Sequence, residues 1–180
     1  MTNQLWTIDP AHTEVGFGVR HLMISTVKGR FADVKGVVEF ADGAEPKLDV
    51  TIGVASLDTR EDKRDAHLRS QDFFDAEKYP EIRFVSTKTV RTDGGWTITG
   101  NLTMHGVTKP VTLAATEEGT GRDPWGNERM GFSAHGKLDR REFGLTWNAA
   151  LETGGVLVGD DIKLNIEAEL VKQAAAVKAA

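Results

Sequence analysis

A period of two recurs along this chain and constrains its fold more than any other feature. Trp96, Ile98, Gly100, Leu102 and Met104 fall on one side, and Thr97, Thr99, Asn101 and Thr103 on the other. The same alternation runs through Val15/Phe17/Val19/His21, Leu48/Val50/Ile52/Val54 and Ile162/Leu164/Ile166/Ala168/Leu170. A strand sends successive side chains to opposite faces, so each segment has one apolar face and one wet face. Many such strands in one small domain predict a closed antiparallel barrel or a sandwich. A closed barrel of about eight strands is just wide enough to be filled by side chains or to hold one small ligand. The function therefore turns on whether the interior is a packed core or a cavity.

The bulk numbers narrow the classes. A chain of 180 residues fits one domain, since domains run roughly 100–200 residues. The net charge of −5 speaks against a nucleic-acid surface, which needs a basic stripe to neutralise phosphates. The absence of cysteine excludes disulfides, cysteine-based zinc sites and thiol nucleophiles. The opening Met1–Pro10 shows no basic segment followed by an apolar one, so no secretory signal is visible. No stretch approaches the ~20 apolar residues of a membrane span. The expectation is a cytoplasmic protein that needs no cofactor. The alanine-rich run 172–180 reads as a tail, which leaves 1–171 as the domain.

Strands are predicted over Leu5–Ile8, Glu14–His21, Val27–Phe40 with bends at Gly29 and Gly36, and Lys47–Leu57. Asp42-Gly43 is a turn signal. The charged stretch Thr59–Asp72 predicts one surface helix over Arg60–Ser70, with Thr59 as its N-cap and Asp62 as the acidic partner. Of the adjacent Phe73 and Phe74, at least one should enter the core. Glu81–Arg91 and Trp96–His105 form a hairpin across Asp93-Gly94-Gly95, and Val107–Thr116 follows. Glu117–Asn127 reads as a loop, Arg129–Leu138 and Ile162–Leu170 as the last strands, and Asp139–Asp161 as irregular.

These signals, in this order, resemble the YceI-like family, also called the lipid- or polyisoprenoid-binding family, from about Leu5 to Leu170. The resemblance rests on Trp6-Thr7-Ile8-Asp9-Pro10-Ala11-His12-Thr13, on Val15–Leu22 and on Val27-Lys28-Gly29-Arg30-Phe31. It is strongest in Asp65-Ala66-His67-Leu68-Arg69-Ser70-Gln71-Asp72-Phe73-Phe74-Asp75 and Tyr79-Pro80-Glu81-Ile82-Arg83-Phe84. Gly100–Val111 and Asp139-Arg140-Arg141-Glu142-Phe143-Gly144 complete it. It implies an all-β fold: an extended eight-stranded antiparallel barrel, lipocalin-like, with one helical insertion beside its mouth. It also implies a long apolar channel for an isoprenoid or fatty chain.

The inward apolar set is Phe17, Val19, Phe31, Phe84, Ile98, Leu102, Met104 and Trp147. By residue type alone the set fits a packed core; the resemblance makes it a cavity wall. Each methylene moved onto such a wall contributes about 0.8 kcal/mol, so ten tail carbons bring about 8 kcal/mol. Association costs a similar amount, so tight binding needs a longer tail or contacts to a head. Met104 suits an adaptable wall.

Five histidines are present, none with a second one three or four residues away, so helical metal spacing is missing. His21 shares a face with Phe17 and Val19. It reads either as a strand-end residue bonded to backbone or as a polar group at the channel mouth. Arg140, in a basic doublet, reads either as surface or as a bidentate contact to an anionic head. The charged insert reads as salt bridges and caps, or as a gate whose cations meet a phosphate head. A carboxylate pair for glycoside hydrolysis is a further possibility. No Gly-x-Ser-x-Gly elbow is present. Gly16-Phe17-Gly18 is no phosphate loop, because both glycines lie inside a strand.

The expected function is non-enzymatic binding, transport or storage of a polyisoprenoid, an isoprenoid quinone or a fatty amide or acid. The tail would be desolvated in the barrel and the head held by a few polar groups. The rivals are an enzyme using His21 or a carboxylate as general base and an interaction module with a filled barrel. A homodimer is compatible with the sequence.

Overall fold

The computed structural model describes residues 3–41 and 44–174. The turn expected at Asp42-Gly43 and most of the expected tail lie outside the described residues. In chain order the strands are β1 (Asn3–Ile8), β2 (Glu14–His21), β3 (Ser25–Phe31), β4 (Val34–Ala41), β5 (Lys47–Gly53) and β6 (Leu57–Asp58). The helix α1 (Asp62–Arg69) follows. Then come β7 (Glu81–Thr92), β8 (Gly95–Met104), β9 (Val107–Arg122), β10 (Glu128–Asp139) and β11 (Val158–Lys172). Short 3-10 turns occupy Pro10–His12, Val54–Ser56 and Arg140–Phe143.

All pairings are antiparallel, and the sheet closes where β1 meets β11 through Trp6–Lys172, Thr7–Val171 and Ile8–Leu170. β1 and β2 both run along β11, one after the other, and act as one long stave. β3 and β4 form the second stave in the same way, pairing with β2 and β1 respectively. β5 with β6, then β7, β8, β9, β10 and β11, are the other six, so the barrel has eight staves as expected.

Local chemistry explains where the staves break. At Asp9 the side chain accepts the Ala11 N–H (3.0 Å) and Pro10 has no N–H to offer a ladder. The break between β3 and β4 falls at Ala32–Asp33, not at Gly29 or Gly36. There the Ala32 N–H donates to Ser56 Oγ (3.2 Å) and the Asp33 carbonyl accepts from Gly53 (2.8 Å). Gly29 and Gly36 lie inside strands, where neighbours leave no room for a side chain: a Cβ at Gly29 would run into the Phe17 ring. The strand expected over Lys47–Leu57 is interrupted by the 3-10 turn that buries Val54.

The helix starts two residues later than expected. Its N-cap is Glu61, whose carboxylate accepts the Arg64 N–H (2.6 Å), and not Thr59. The stretch expected as a loop over Glu117–Asn127 is mostly strand, since β9 runs on to Arg122. Lys172, assigned to the tail from sequence, closes β11, and the Gln173 N–H donates to the Leu5 carbonyl (2.8 Å).

The chain direction fixes the two ends. α1, the turn after β2, and the segment between β10 and β11 lie at one end, called here the helix end. The β7–β8 and β9–β10 turns lie at the other, the hairpin end. The main apolar cluster fills the helix half, and a second one around Trp6, Val38 and Leu170 sits toward the hairpin end.

Candidate ligand-binding cavity

One cavity of about 260 Å³ lies inside the barrel. Its wall runs from Leu68 of α1 and Phe73 and Phe74 just after it to Phe40, Pro46, Trp96 and Phe132 at the hairpin end. Alternation builds it: β2 contributes Val15, Phe17 and Val19, β5 contributes Leu48, Val50 and Ile52, and β11 contributes Ile162, Leu164, Ile166, Ala168 and Leu170. Phe84 lies over Gly100, where a Cβ would collide with its ring, so the glycine makes room for the aromatic wall. Phe31 meets Phe17 at 5.6 Å and the edge of Phe74 at 5.8 Å, which joins the strands to the segment after α1.

Seven of the eight apolar residues singled out from sequence line this cavity: Phe17, Val19, Phe31, Phe84, Ile98, Leu102 and Met104. Trp147 does not. It sits behind the wall, 4.7 Å from the His67 ring and 5.3 Å from Phe73. His21 is also absent from the wall; it ends β2 at a tight turn, where its carbonyl accepts the Ile24 N–H (3.1 Å).

Arg140 does line the cavity, yet it is 3% exposed and differs from both sequence-based readings. Its Nε donates to Gly159 O (2.9 Å) and its Nη1 to Leu145 O (2.6 Å) and Trp147 O (2.9 Å). Its Nη2 donates to Val158 O and Asp160 Oδ1, both at 3.4 Å. A guanidinium has five N–H donors, and all five are committed to the chain. Burial pushes its pKa below the usual arginine value, with Asp160 opposing the shift. Arg140 is a clamp on the segment between β10 and β11, with no donor left for a headgroup.

The other polar residues of the wall are Thr13 and Thr89. Thr13 Oγ1 accepts the Glu169 N–H (3.1 Å). Thr89 is 2% exposed, and its hydroxyl has no hydrogen-bond partner among the described residues.

Carboxylates with strongly shifted pKa values lie off the wall. Hydrogen bonds from Arg129 and His12 hold Asp9 down at about 2, and Arg141 does the same for Asp139. Asp123 is held well below the usual range by Asn127 and Arg129. All three are fixed in the ionised form, the opposite of what a general acid needs. Asp9, His12 and Glu169 come within reach of one ion, but Arg129 Nη1 already donates to both Asp9 Oδ2 (2.7 Å) and Glu169. That cluster is an arginine site.

The YceI-like domain family matches residues 6–170. The chain belongs to the YceI-like family. A UPF0312 protein of Photorhabdus laumondii is 47% identical over 134 residues, covering 73% of this chain and 70% of that protein. The crystal structure of the Campylobacter jejuni YCEI protein matches with a TM-score of 0.73 at 40% identity, covering 86% of this chain and 90% of that one. A polyisoprenoid binding domain from Saccharophagus degradans shares the fold, with a TM-score of 0.68 at 13% identity over 93% of this chain and 98% of that one.

In this YceI-like barrel, sequence reasoning missed several wall residues. The β5 and β11 sets carried a clear signal, since their alternation is unbroken. Phe73 and Phe74 both face the cavity because they lie in a turn and not a strand, so no period separates them. Thr89 was hidden by a register shift in β7 between Ser86 and Lys88, which breaks the parity set by Ile82 and Phe84.

Proposed function

We propose that this protein binds a long apolar molecule inside the barrel without altering it chemically. The ligand class is a polyisoprenoid, an isoprenoid quinone or a fatty amide or acid. One observation carries the reading: a cavity runs between the two ends of the barrel with a wall that is apolar except at Thr13, Thr89 and Arg140. An apolar tail gains free energy in proportion to the area it removes from water. The volume of about 260 Å³ sits just below the range of about 300–1,000 Å³ typical of small-molecule sites. The description of the Saccharophagus neighbour as a polyisoprenoid binding domain supports the ligand class. The committed donors of Arg140, and a wall on which no carboxylate or histidine stands among the described residues, support binding over proton-transfer catalysis.

The test is native mass spectrometry on protein purified from its own organism, followed by organic extraction. The expected result is one discrete lipid per chain, released on extraction. An empty protein that also takes up neither prenyl quinones nor polyprenyl phosphates would overturn the reading.

A further inference from the structure

We propose that the turn between β2 and β3 docks this barrel on an anionic lipid bilayer, with Met23 and Ile24 inserted and the cations behind them on the headgroup phosphates. The step from docking to exchange of cargo rests on the reading of the barrel as a carrier; docking itself does not.

The tip of this turn is apolar and exposed. Leu22, Met23 and Ile24 join the two strands at the helix end. Met23 is 59% exposed and Ile24 78%. The Leu22 N–H donates to the Leu157 carbonyl (2.9 Å), which holds the tip beside the segment that carries exposed Val156. Leu22 and Met23 both take left-handed backbone, at φ 52° and 60°. Glycine, asparagine and aspartate are the usual occupants of that region in a hairpin turn. Reversal of the chain alone does not call for leucine and methionine there, so their side chains account for them.

Charge selects what covers the tip. Arg20 Nη2 donates to the Met23 carbonyl (2.8 Å) and Nη1 to Thr26 Oγ1 (3.2 Å), so the guanidinium sits at the tip. A guanidinium has five N–H donors, and the others on Arg20 have no partner among the described residues. Lys163 and Lys28 flank Gly18 on either side, both exposed and neither paired with a carboxylate among the described residues. The aspartates nearby are engaged: Asp161 with Lys137, Asp160 with Arg140 and Arg141, and Asp139 with Arg141. Exposed Glu142 and Glu152 stand on the adjoining segment and not on the strands behind the tip. Lys28 follows Ile24 by about 13 Å of strand at about 3.3 Å per residue. Insertion of the tip by about 5–10 Å therefore brings Lys28 to the headgroups, where each cation adds attraction to an anionic leaflet.

A protein partner fits less well. Met23, Ile24 and Val156 fall far short of the roughly 20–30 residues and about 800 Å² a side of a stable interface. The position also suits a carrier. Val19 on β2 and Val158, next to Leu157, line the cavity, so docking sets its helix end against the bilayer.

The test is cosedimentation with vesicles of phosphatidylcholine or of phosphatidylglycerol. It compares wild type, Met23→Asn/Ile24→Ser, Arg20→Gln/Lys28→Gln and Trp125→Ser. Trp125, 81% exposed at the hairpin end, controls for any exposed apolar side chain. Wild type is expected to prefer phosphatidylglycerol about tenfold, and each double variant to lose about tenfold in binding to it. Trp125→Ser should bind as wild type does. Asparagine suits left-handed backbone, so Met23→Asn/Ile24→Ser should melt no lower than wild type, which separates lost docking from lost folding. No binding of wild type to phosphatidylglycerol, binding kept by Met23→Asn/Ile24→Ser, or binding lost only in Trp125→Ser would overturn the proposal. Equal binding of wild type to both lipids would overturn the role of the cations. A dimer that disappears in Met23→Asn/Ile24→Ser would give the tip to a second copy and overturn the bilayer as occupant. Uptake of a prenyl quinone in the absence of vesicles reads the carrier function separately. Its failure would overturn that reading and the exchange step, while docking stands or falls on the vesicles.

Discussion

All five donors of Arg140 end on the chain, and four of the acceptors are backbone carbonyls at Leu145, Trp147, Val158 and Gly159. The residue therefore holds the segment between β10 and β11 against the barrel, where Leu145 and Val158 join the wall. Arg140→Met keeps the stem and removes the donors, leaving buried carbonyls unpaired at about 1–3 kcal/mol each and not additively. We expect a loss of about 3–4 kcal/mol in urea unfolding, and a similar loss in Arg140→Lys, which lacks the planar fork. A loss under about 1 kcal/mol would mean that water replaces the guanidinium. Sequence showed this residue but not its role. Alternation marks which way an apolar side chain faces, and Phe17, Phe84 and Leu102 were legible for that reason. An arginine in a polar run carries no such mark, and Trp147 lies in an irregular segment where no period applies.

α1 covers the helix end, and its own composition does not hold it there: its residues are mostly charged. A buried network fastens it instead. Asp65, 6% exposed, accepts the backbone N–H of Thr59 (2.9 Å) and its hydroxyl (2.5 Å). Arg64 donates to Thr59 Oγ1 and O, both at 2.8 Å, and Arg69 donates to the Leu57 carbonyl. Asp65→Ala strands two buried Thr59 donors at a cost of about 2–4 kcal/mol. The expected readout is local: faster amide exchange over residues 62–69 and faster ligand release, with exchange in β8–β10 unchanged. Unaltered exchange in α1 would show that the bonds of Arg64 and Arg69 fasten it without Asp65. This arrangement explains the misplaced helix start. Thr59 has the residue type of a cap, but it faces back toward Asp65, and Glu61 caps in its place. β9 was truncated for a different reason. Beyond Thr116 it runs exposed on both faces, so it pairs with β10 without any one-sided burial to write a period into the sequence.

At the scale of the whole barrel, the stave made of β1 and β2 runs along β11, and its β1 part is the shorter of the two contacts. Among the described residues β1 meets β11 through three residue pairs, and Arg129 reinforces that seam from outside. Its Nη1 reaches Asp9, at the kink between β1 and β2, and Glu169 on β11, while its Nε reaches Asp123 at the β9–β10 turn (2.8 Å). Folding lowers Asp9 from 3.8 to about 2 chiefly through Arg129, and lowers Asp139 to about 2 chiefly through Arg141. Between pH 4 and pH 2, roughly, the unfolded chain then binds more protons than the native one. The stabilisation from both groups is complete above that interval and is lost as the pH falls through it. Wild-type stability should thus stay level on acidification to about pH 4 and then drop toward pH 2. Arg129→Met removes the main cause at Asp9 and leaves Asp139 as it was. Its stability near neutral pH should be lower and its acid limb shallower, with amide exchange rising first in β1 and the last residues of β11. Urea midpoints measured from pH 7 to pH 2 in both proteins decide the matter. An acid limb of equal steepness in the two would place the closing interaction in the backbone pairs of β1 and β11 alone, and Arg129 would then be only a surface ion cluster.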